Sequence, residues 1–321
     1  MSDRNNPMQP IVPFEPVSSA QLTVRSGWTA QIKWDGVRML TYWDGAATRL
    51  VNRRLNDKTL QYPEFARASD YIAARSAILD GELIAMNRER PSFHEIMRRD
   101  RARKSDTISR GVAGVPVTYM VFDVLYCEGE WLTDKPLRER QAVLRSLLKA
   151  HPQVQLVADH DDPAALLAVM KSHRMEGIVT KDLDSRYLIG GKDGRWMKHK
   201  IDRDLAAGVG GVTLQGGIVN ALLLGLYDEA GCFCYIGHAG AGKLTHEDYR
   251  SLTARLPELR IARKPFANRT EREREAVWIA PDRVAVKVNY LEWTTGGTLR
   301  HPVLQGFLDA GAADCSFAQP E

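Results

Sequence analysis

The sequence predicts an α+β fold in which antiparallel sheets with a few helices precede a small β-barrel. Strand-like runs alternate with helical patterns over residues 1–203, and after Arg203 the sequence becomes glycine-rich, helix-poor and organised in hairpins. The length of 321 residues suggests about two domains. We therefore predict a first domain over 1–203, a second over 204–321 and a hinge near Ile201 to Leu205.

Strands are predicted in the first domain where apolar and polar residues alternate. The runs TAQIKW, VRMLTYW and TRLVN are separated by Asp-Gly pairs at Asp35 and Asp44, a pattern typical of an antiparallel meander. This places Lys33 near a strand end. Further strand-like runs are AILDGELIAM, VTYMVFDVLY, EGIVTK and RWMKHK.

Helices are predicted between these strands. A Pro-Glu start at Pro63 indicates a helix through Ala74. The run KPLRERQAVLRSLLKA has apolar residues at helical spacing from Leu137 onward. Asp162, followed by a proline, is a capping signal for a third helix.

The second domain is predicted to be built from hairpins. One surrounds Asp228 to Gly231 and another surrounds Thr294 to Gly297, with a helix opened by a Thr245/Asp248 capping pattern. IVNALLLGLY is too short to cross a bilayer and is predicted to be a buried strand. GHAGAGKL approaches a phosphate-loop pattern, but Leu244 replaces the hydroxyl residue, so we predict a turn.

Charge and cysteine content suggest a polyanion partner and a reducing compartment. The net charge is +4, and RRDRARK, Arg98 to Lys104, concentrates basic residues that suit a polyanion or a solvated helix end. The four cysteines lack the spacing of a zinc site or a disulfide framework, and the N-terminus has no apolar signal-peptide region. We expect a cytoplasmic protein without membrane segments.

A set of polar or aromatic residues interrupts the strand-like runs. Its members are Lys33, Glu82, Phe122, Glu176, Lys198 and Lys200. Singly, each has an ordinary explanation: a solvated lysine before a turn, an ion-paired carboxylate, a core phenylalanine, a turn glutamate, or lysines on an exposed edge strand. In this order they also match what nucleotidyl transfer through a lysine requires.

The chemistry of that transfer explains each residue type. An amine attacks phosphorus only when neutral, and cations such as Lys198 and Lys200 disfavour its charged form while neutralising charge on the α-phosphate. Mg²⁺ prefers one or two carboxylates with water and phosphate oxygens, which suits Glu176. Phe122 could stack on a purine.

The ordered set resembles the ATP-dependent DNA ligases of the covalent nucleotidyltransferase superfamily, in particular the ligase module of bacterial non-homologous end-joining enzymes. The matching stretches are KWDGVR, VNRRLNDKT with YPE, LDGELIAM, VFDVLY, EGIVTK, RWMKHK, YIGHAGAG and LRHP. The resemblance implies an ATP-grasp-like nucleotidyltransferase domain followed by an OB-fold domain. It also implies ATP and Mg²⁺ or Mn²⁺ as cofactors, and nicked duplex DNA as substrate.

The resemblance implies a role for each matching residue. Lys33 would be adenylated, with Gln31 and Ile32 beside it in the nucleotide pocket. The remaining implied roles are ribose binding by Glu82, adenine stacking by Phe122, metal binding by Glu176, phosphate binding by Lys198 and Lys200, contacts to AMP or the 5′-phosphate of the nick by Arg38 and Arg53, and pyrophosphate handling by Arg300.

The chain departs from the family pattern at three places. Gln31 stands where glutamate is common, Arg53 to Leu55 where Arg-Asn-Gly is common, and LRHPVLQGFLDA keeps Arg300 without later basic residues. We expect a minimal, monomeric ligase without an N-terminal DNA-clamping domain, possible partners being end-joining or other repair proteins at the bacterial nucleoid. The alternatives are an RNA ligase, a GTP-dependent capping-type enzyme and a non-catalytic nucleic-acid-binding protein.

Overall fold

The protein is described here by a computed structural model that covers residues 8–19, 21–87, 90–173, 175–201, 203–240, 242–309, 311 and 314–319. The chain divides into two units, Met1–Ile201 and Asp202–Glu321. Antiparallel sheets dominate both units and helices are few, so the predicted α+β class is confirmed. The predicted hinge near Ile201 to Leu205 includes Asp202, which lies outside the described residues. The hinge and the boundary after Arg203 stay predictions.

The first unit consists of two sheets with helices on their outer sides. Its strands are β1 Glu15–Ser18, β2 Trp28–Ile32, β3 Val37–Trp43, β4 Thr48–Asn52, β5 Ala77–Asn87, β6 Arg90–Pro91, β7 Val117–Cys127, β8 Glu130–Trp131, β9 Val154–Leu156, β10 Gly177–Asp182 and β11 Lys192–Lys200. Its helices are α1 Phe93–Asp100, α2 Ser105–Gly114, α3 Leu137–Leu147 and α4 Pro163–Ser172. One sheet has the order β1-β11-β10-β2 and the other β4-β3-β5-β7-β8.

The predicted three-stranded meander is wrong at its first turn. β3 and β4 do pair across Asp44, but β2 pairs with β10 and therefore belongs to the other sheet. The Asp35-Gly36 pair is not a hairpin turn. A Cβ atom at Gly36 would overlap the carbonyl oxygen of Leu83 on β5, so glycine is required there by the close approach of two backbones.

Two of the three helices predicted in the first unit are confirmed, and one is wrong. Helix α3 begins at Leu137, and α4 begins at Pro163 with Asp162 accepting hydrogen bonds from two first-turn amides, so both predictions are confirmed. The helix predicted from Pro63 to Ala74 is wrong. That segment forms two short 3₁₀ turns, Pro63–Phe65 and Ala68–Asp70, which bury Phe65 and Ala68.

The second unit is a curved sheet of the order β14-β13-β12-β16-β19, with one helix among its described residues. Its elements are β12 Arg203–Gln215, β13 Ile218–Tyr227, β14 Phe233–Ala239, α5 His246–Leu259, β15 Val277–Trp278, β16 Ala285–Tyr290, β17 Glu292–Trp293, β18 Leu299–Arg300 and β19 Val303–Leu308. Just beyond β14, the Lys243 amide donates to the Leu304 carbonyl on β19 at 2.8 Å, joining the two edges of the sheet. This closure is typical of an OB-fold barrel.

The predicted hairpins and capping pattern of the second unit are confirmed, whereas the turn predicted for GHAGAGKL includes Ala241, which lies outside the described residues, and its first three residues belong to β14. β13 and β14 pair across the turn at Asp228 to Gly231, and β17 and β18 pair across the turn at Thr294 to Gly297. The capping box of α5 is complete, because the Thr245 side chain and the Asp248 carboxylate each accept from the other residue's backbone amide. Among the described residues no helix is both long and apolar enough to span a membrane. All four cysteines are free.

A fully buried ion pair connects β7 to α3 in the first unit. Arg140 donates through Nε and Nη2 to the two carboxylate oxygens of Asp123, each at 2.8 Å, and through Nη1 to the carbonyls of Lys135 and Ser185. Neither side chain is exposed. Every charge in this cluster therefore has a partner, and removal of one partner leaves the other stranded.

We expect Arg140→Ala to destabilise the protein by about 3 to 5 kcal/mol, because it leaves the Asp123 carboxylate buried and unpaired. The double variant Arg140→Leu/Asp123→Leu should cost less than Arg140→Ala alone. Urea unfolding of the single and double variants measures both effects. Equal losses in the two would contradict the assignment of the cost to the stranded charge.

Candidate active site

The predicted site residues of the first unit lie on or beside the facing surfaces of its two sheets. On the first sheet, Gln31 is opposite Val179, Val179 is opposite Lys198, and Lys181 is opposite Trp196, so these residues share one face. On the second sheet, Arg38 on β3 is opposite Glu82 on β5. Aromatic contacts connect the two faces, since the ring centroids of Phe122 and Trp196 are 6.1 Å apart.

Lys33 follows β2 directly, and its side chain lies against Glu176. The Lys33 amide donates to the Gly177 carbonyl at 3.0 Å, which holds the two segments together. Lys33 Nζ is 2.7 Å from Glu176 Oε2, and the two side chains are 21% and 13% exposed. Gly177 has a φ of 145°, and a Cβ there would overlap the His199 carbonyl oxygen, so glycine is required beside Glu176.

Glu82 faces the same cleft without a partner of its own. No hydrogen bond or ion pair to Glu82 is present among the described residues, so the ion-paired explanation for this carboxylate fails. Burial raises the pKa of Glu82 to about 7, although Arg38 and Lys33 act in the opposite direction. A carboxyl group in this state can donate or accept a hydrogen bond near neutral pH.

Arg38 is fixed by an ion pair that sequence analysis missed. Its Nη2 donates to Asp80 Oδ2 at 2.7 Å, and the Tyr187 hydroxyl donates to the same oxygen at 2.7 Å. Asp80 is fully buried. Asp80 is the aspartate of LDGEL, two residues before Glu82, and would have been found by asking which acid could balance a buried arginine.

Phe122 is aimed into the cleft by an irregularity of β7. Asp80 pairs with Asp123 and Gly81 with Val121, which leaves Phe122 as the additional residue of a β-bulge. The Arg38 guanidinium carbon is 4.6 Å from the Phe122 ring centroid. Bulges re-aim side chains, and this one is not detectable from the alternation of the sequence.

Lys181, the last residue of EGIVTK, is a site residue that sequence analysis did not single out. It is 3% exposed, and its Nζ lies 4.2 Å from the centroid of Phe122 and 4.0 Å from that of Trp196. Burial lowers the pKa of Lys181 to about 7; Asp123 opposes this shift and Arg38 adds to it. The signal was available, because Lys181 is a charged residue inside a strand that the sequence predicts.

The side chains of Gln31 and Ile32 have different surroundings, one polar and one apolar. Gln31 is 2% exposed, and its Nε2 donates to Asp159 Oδ1 at 2.9 Å. Asp159 also accepts from Gln141 at 2.9 Å and from Arg145 at 2.8 Å, so the amide orientation of Gln31 is fixed. The Ile32 side chain packs against the core beneath α4, which leaves its backbone as the part able to contact a ligand.

The remaining predicted residues are distributed over both units. β11 has β1 on one side and β10 on the other, so Lys198 and Lys200 do not lie on an exposed edge strand. Lys200 pairs with Gly177, beside Glu176. Arg53 follows β4, is 55% exposed and pairs with Glu15 at 3.2 Å. Arg300 lies on β18 of the second unit and pairs with Glu292 at 2.6 Å.

The donor set of the cleft can be tested against a divalent cation. Among the described residues no cluster of three or more acidic, histidine or cysteine side chains is present. Glu176 Oε2 is buried, and its contact of 2.7 Å with Lys33 Nζ is an ion pair without hydrogen-bond geometry, so the carboxylate keeps lone pairs for another ligand. A carboxylate oxygen with spare capacity fits Mg²⁺, which binds proteins through one or two carboxylates and fills its remaining positions with water and phosphate.

Two family models match the chain. One, described as an ATP dependent DNA ligase domain, matches residues 12–200, and the other, described as an ATP dependent DNA ligase C terminal region, matches residues 215–309. The chain is 30% identical over 316 residues to the multifunctional non-homologous end joining protein LigD of Pseudomonas aeruginosa, covering 95% of this chain and 36% of the relative. It is 34% identical over 269 residues to a probable DNA ligase of Streptomyces griseus, covering 79% of this chain and 52% of the relative.

The chain thus spans between 36% and 52% of the length of these two relatives. A solved structure of mycobacterial DNA ligase D complexed with ATP and MES matches with a TM-score of 0.72 and 24% identity. That match covers 95% of this chain and 97% of the other. It shows a common fold, consistent with a nucleotidyltransferase domain followed by an OB-fold domain.

Replacing Lys181 by methionine should remove a pH-dependent penalty on folding. The Lys181 pKa is about 7 in the folded protein and 10.5 ordinarily, so between these values the chain takes up a proton on unfolding. The free energy of unfolding of the wild type should therefore rise with pH in this window, by up to about 1.4 kcal/mol per pH unit relative to Lys181→Met. Urea unfolding of both proteins at several pH values measures the difference, and a pH-independent difference would contradict the assignment.

Proposed function

The chain belongs to the family of ATP-dependent DNA ligases, and we propose that it seals breaks in duplex DNA with Lys33 as the nucleophile. The observation that carries the proposal is the contact of 2.7 Å between Lys33 Nζ and Glu176 Oε2, at a strand end that opens into a cleft. Phe122, Glu82 and Lys198 come from strands facing or flanking that cleft. These are the group types that adenylate transfer requires.

The proposed reaction has three group-transfer steps. Lys33 Nζ, after losing a proton, attacks the α-phosphorus of ATP; the N–P bond forms, the bond to the β-phosphate oxygen breaks, and pyrophosphate leaves. The AMP group then passes to the 5′-phosphate oxygen of the DNA, which releases Lys33. Finally the 3′-hydroxyl attacks the 5′-phosphorus, AMP leaves, and the backbone is joined.

The residues around Lys33 would orient ATP and balance its charge. Phe122 would stack on the adenine, Glu82 would bond the ribose hydroxyls, and Lys198 and Lys200 would neutralise the phosphates. Mg²⁺ or Mn²⁺ bound at Glu176 would supply positive charge beside the α-phosphate and disfavour the protonated form of Lys33. Gln31 and the Ile32 backbone would border the base, and Arg38 would border Phe122.

Two of the predicted site residues would contact groups other than AMP, namely the DNA 5′-phosphate and pyrophosphate. Arg53, exposed after β4, would contact the 5′-phosphate of the break. Arg300, in the second unit, would contribute to pyrophosphate handling. We further propose a nicked duplex as substrate, and action as a cytoplasmic monomer at the nucleoid in DNA repair, since LigD of Pseudomonas aeruginosa is an end-joining protein.

Replacing Lys33 by arginine should abolish the covalent adduct while keeping the cation that faces Glu176. Arginine stays protonated, so it cannot serve as the nucleophile. After incubation with α-phosphate-labelled ATP and Mg²⁺, denaturing electrophoresis should show label on the wild type and none on Lys33→Arg or Lys33→Ala. Both variants should still seal a nick that already carries AMP, which shows that they are folded.

Label on either Lys33 variant would overturn the nucleophile assignment. Labelled GTP serves as the second arm of the same experiment. Label from GTP rather than ATP would favour the capping-type alternative, and sealing of nicked RNA in preference to DNA would favour an RNA ligase. Failure of the wild type to take label from either nucleotide would favour a non-catalytic nucleic-acid-binding protein.

Replacing Glu176 by glutamine should slow adenylation and raise the metal concentration needed for it. The substitution keeps the shape of the side chain and removes its charge, so we expect a loss of at least about tenfold at low Mg²⁺ that is partly recovered at high Mg²⁺. Glu82→Gln is the matched control, because it removes a carboxylate of the same cleft that is assigned to the ribose. It should weaken ATP binding without moving the metal requirement, and an equal shift in both variants would refute the metal assignment.

A further inference from the structure

The segment that joins α1 to α2 is one of the basic segments of this chain. Residues 98–110 contain six basic and two acidic residues, a net charge of +4 that equals the net charge of all 321 residues. A local excess of this kind creates a positive potential at one place on the surface.

One of the six basic residues is structural. Arg99 is 1% exposed, and its Nη2 pairs with Glu64 at 2.8 Å. Its Nη1 donates to the Val115 carbonyl at 2.8 Å and to the Gly111 carbonyl at 3.5 Å, both at the end of α2. Arg99 thus connects the C-terminal end of α2 to Glu64 in the first unit. The other five basic residues are exposed: Arg98, Arg101, Arg103, Lys104 and Arg110.

Helix α2 is held in place without burying any of its own side chains. None of its residues, Ser105 to Gly114, is buried, and all of them are described. A helix without an apolar buried face is stabilised by other contacts, here the Arg99 bonds. Ile108, Gly111 and Val112 are half-buried on one face, so α2 combines a small packed face with the Arg99 bonds.

The junction before α2 is anchored as firmly. Lys58 Nζ pairs with Asp100 Oδ2 at 2.8 Å and donates to the Asp100 carbonyl at 2.9 Å, and the Tyr62 hydroxyl donates to Asp100 Oδ1 at 3.1 Å. Lys58 and Asp100 are nearly buried. The exposed cations therefore project from a fixed platform rather than from a loose loop.

We propose that these five exposed cations, the α1–α2 basic surface, bind backbone phosphates of duplex DNA beside the break. This inference rests on the proposed function, and it adds a DNA-binding surface distinct from the nucleotide cleft. Phosphate contacts from arginine and lysine position a protein on duplex DNA without reading its sequence, as an enzyme that joins breaks of any sequence requires. The hydroxyls of Ser105 and Thr107, both exposed in the first turn of α2, add neutral donors to the same surface.

The test compares two triple variants that remove the same charge. Arg101→Ala/Arg103→Ala/Lys104→Ala changes the proposed surface. Arg67→Ala/Arg75→Ala/Arg138→Ala is the matched control, because these arginines are 82%, 95% and 51% exposed and pair with acids elsewhere on the first unit. The measurement is the Kd for a nicked duplex lacking the 5′-phosphate, as a function of salt concentration.

Each phosphate contact contributes about 0.9 to the slope of log binding constant against log salt. The α1–α2 variant should therefore lose about 2 to 3 from that slope and bind at least about tenfold more weakly near physiological salt. The control variant should keep the wild-type slope. Both should form the Lys33 adduct with labelled ATP at the wild-type rate, because that step needs no DNA.

Equal changes of slope in the two variants would overturn the proposal, because only total charge would then matter. An unchanged slope in the α1–α2 variant would overturn it as well. If the wild type forms no covalent adduct with labelled ATP, the proposed function is refuted instead. The slope comparison would still decide whether the surface binds duplex DNA.

Discussion

The arrangement of the site depends on how closely the chain passes β5 at Gly36. The four residues Lys33 to Gly36 carry the chain from the end of β2 in one sheet to the start of β3 in the other. A side chain at Gly36 would overlap the Leu83 carbonyl, so β3 could not enter the second sheet in the register that sets Arg38 opposite Glu82. Lys33 precedes this passage and Arg38 follows it. Two residues only five positions apart in the sequence therefore lie at the two facing sheets. Gly177 imposes a similar constraint from the other side, since it brings Glu176 to Lys33.

The same glycines show what the sequence could predict and what it could not. The strands, the caps of α4 and α5, and the position of Lys33 at a strand end follow from local alternation and capping patterns, and they are confirmed. The pairing of β2 was wrong, because an Asp-Gly pair indicates only that glycine is needed. Whether the need comes from a turn or from a neighbouring backbone depends on a strand 47 residues away, namely Leu83 relative to Gly36. The helix predicted from Pro63 is wrong for a related reason: the segment buries Phe65 and Ala68 from two short 3₁₀ turns, which local helix-start signals do not reveal.

Side-chain partners were less predictable than backbone elements. The resemblance supplied Lys33, Glu82 and Phe122, but it gave no account of why Phe122 faces the cleft, which depends on a bulge. It also omitted Lys181. That amine lies over two aromatic rings and has no carboxylate in ion-pair distance among the described residues, while burial lowers its pKa and raises that of Glu82 toward the same value of about 7. Burial thus shifts both groups, which are of opposite sign, toward their neutral forms. Neutral forms cost less to bury than charged ones, which accounts for two ionisable groups at so little exposure.

Net charge alone conceals how this chain uses its cations. Arg140 and Arg99 are buried and paired, and each holds an element in place; the cations of the cleft face carboxylates and aromatic rings; the α1–α2 basic surface projects into solvent. The sequence alone does not distinguish these three uses of a basic residue. The sequence predicts a polyanion site or a solvated helix end for RRDRARK, yet this run contains one arginine, Arg99, that is neither, because it is buried and holds α2 in place. Burial is what separates these uses, because a buried guanidinium must satisfy its hydrogen bonds inside the protein, whereas an exposed one is available to a phosphate.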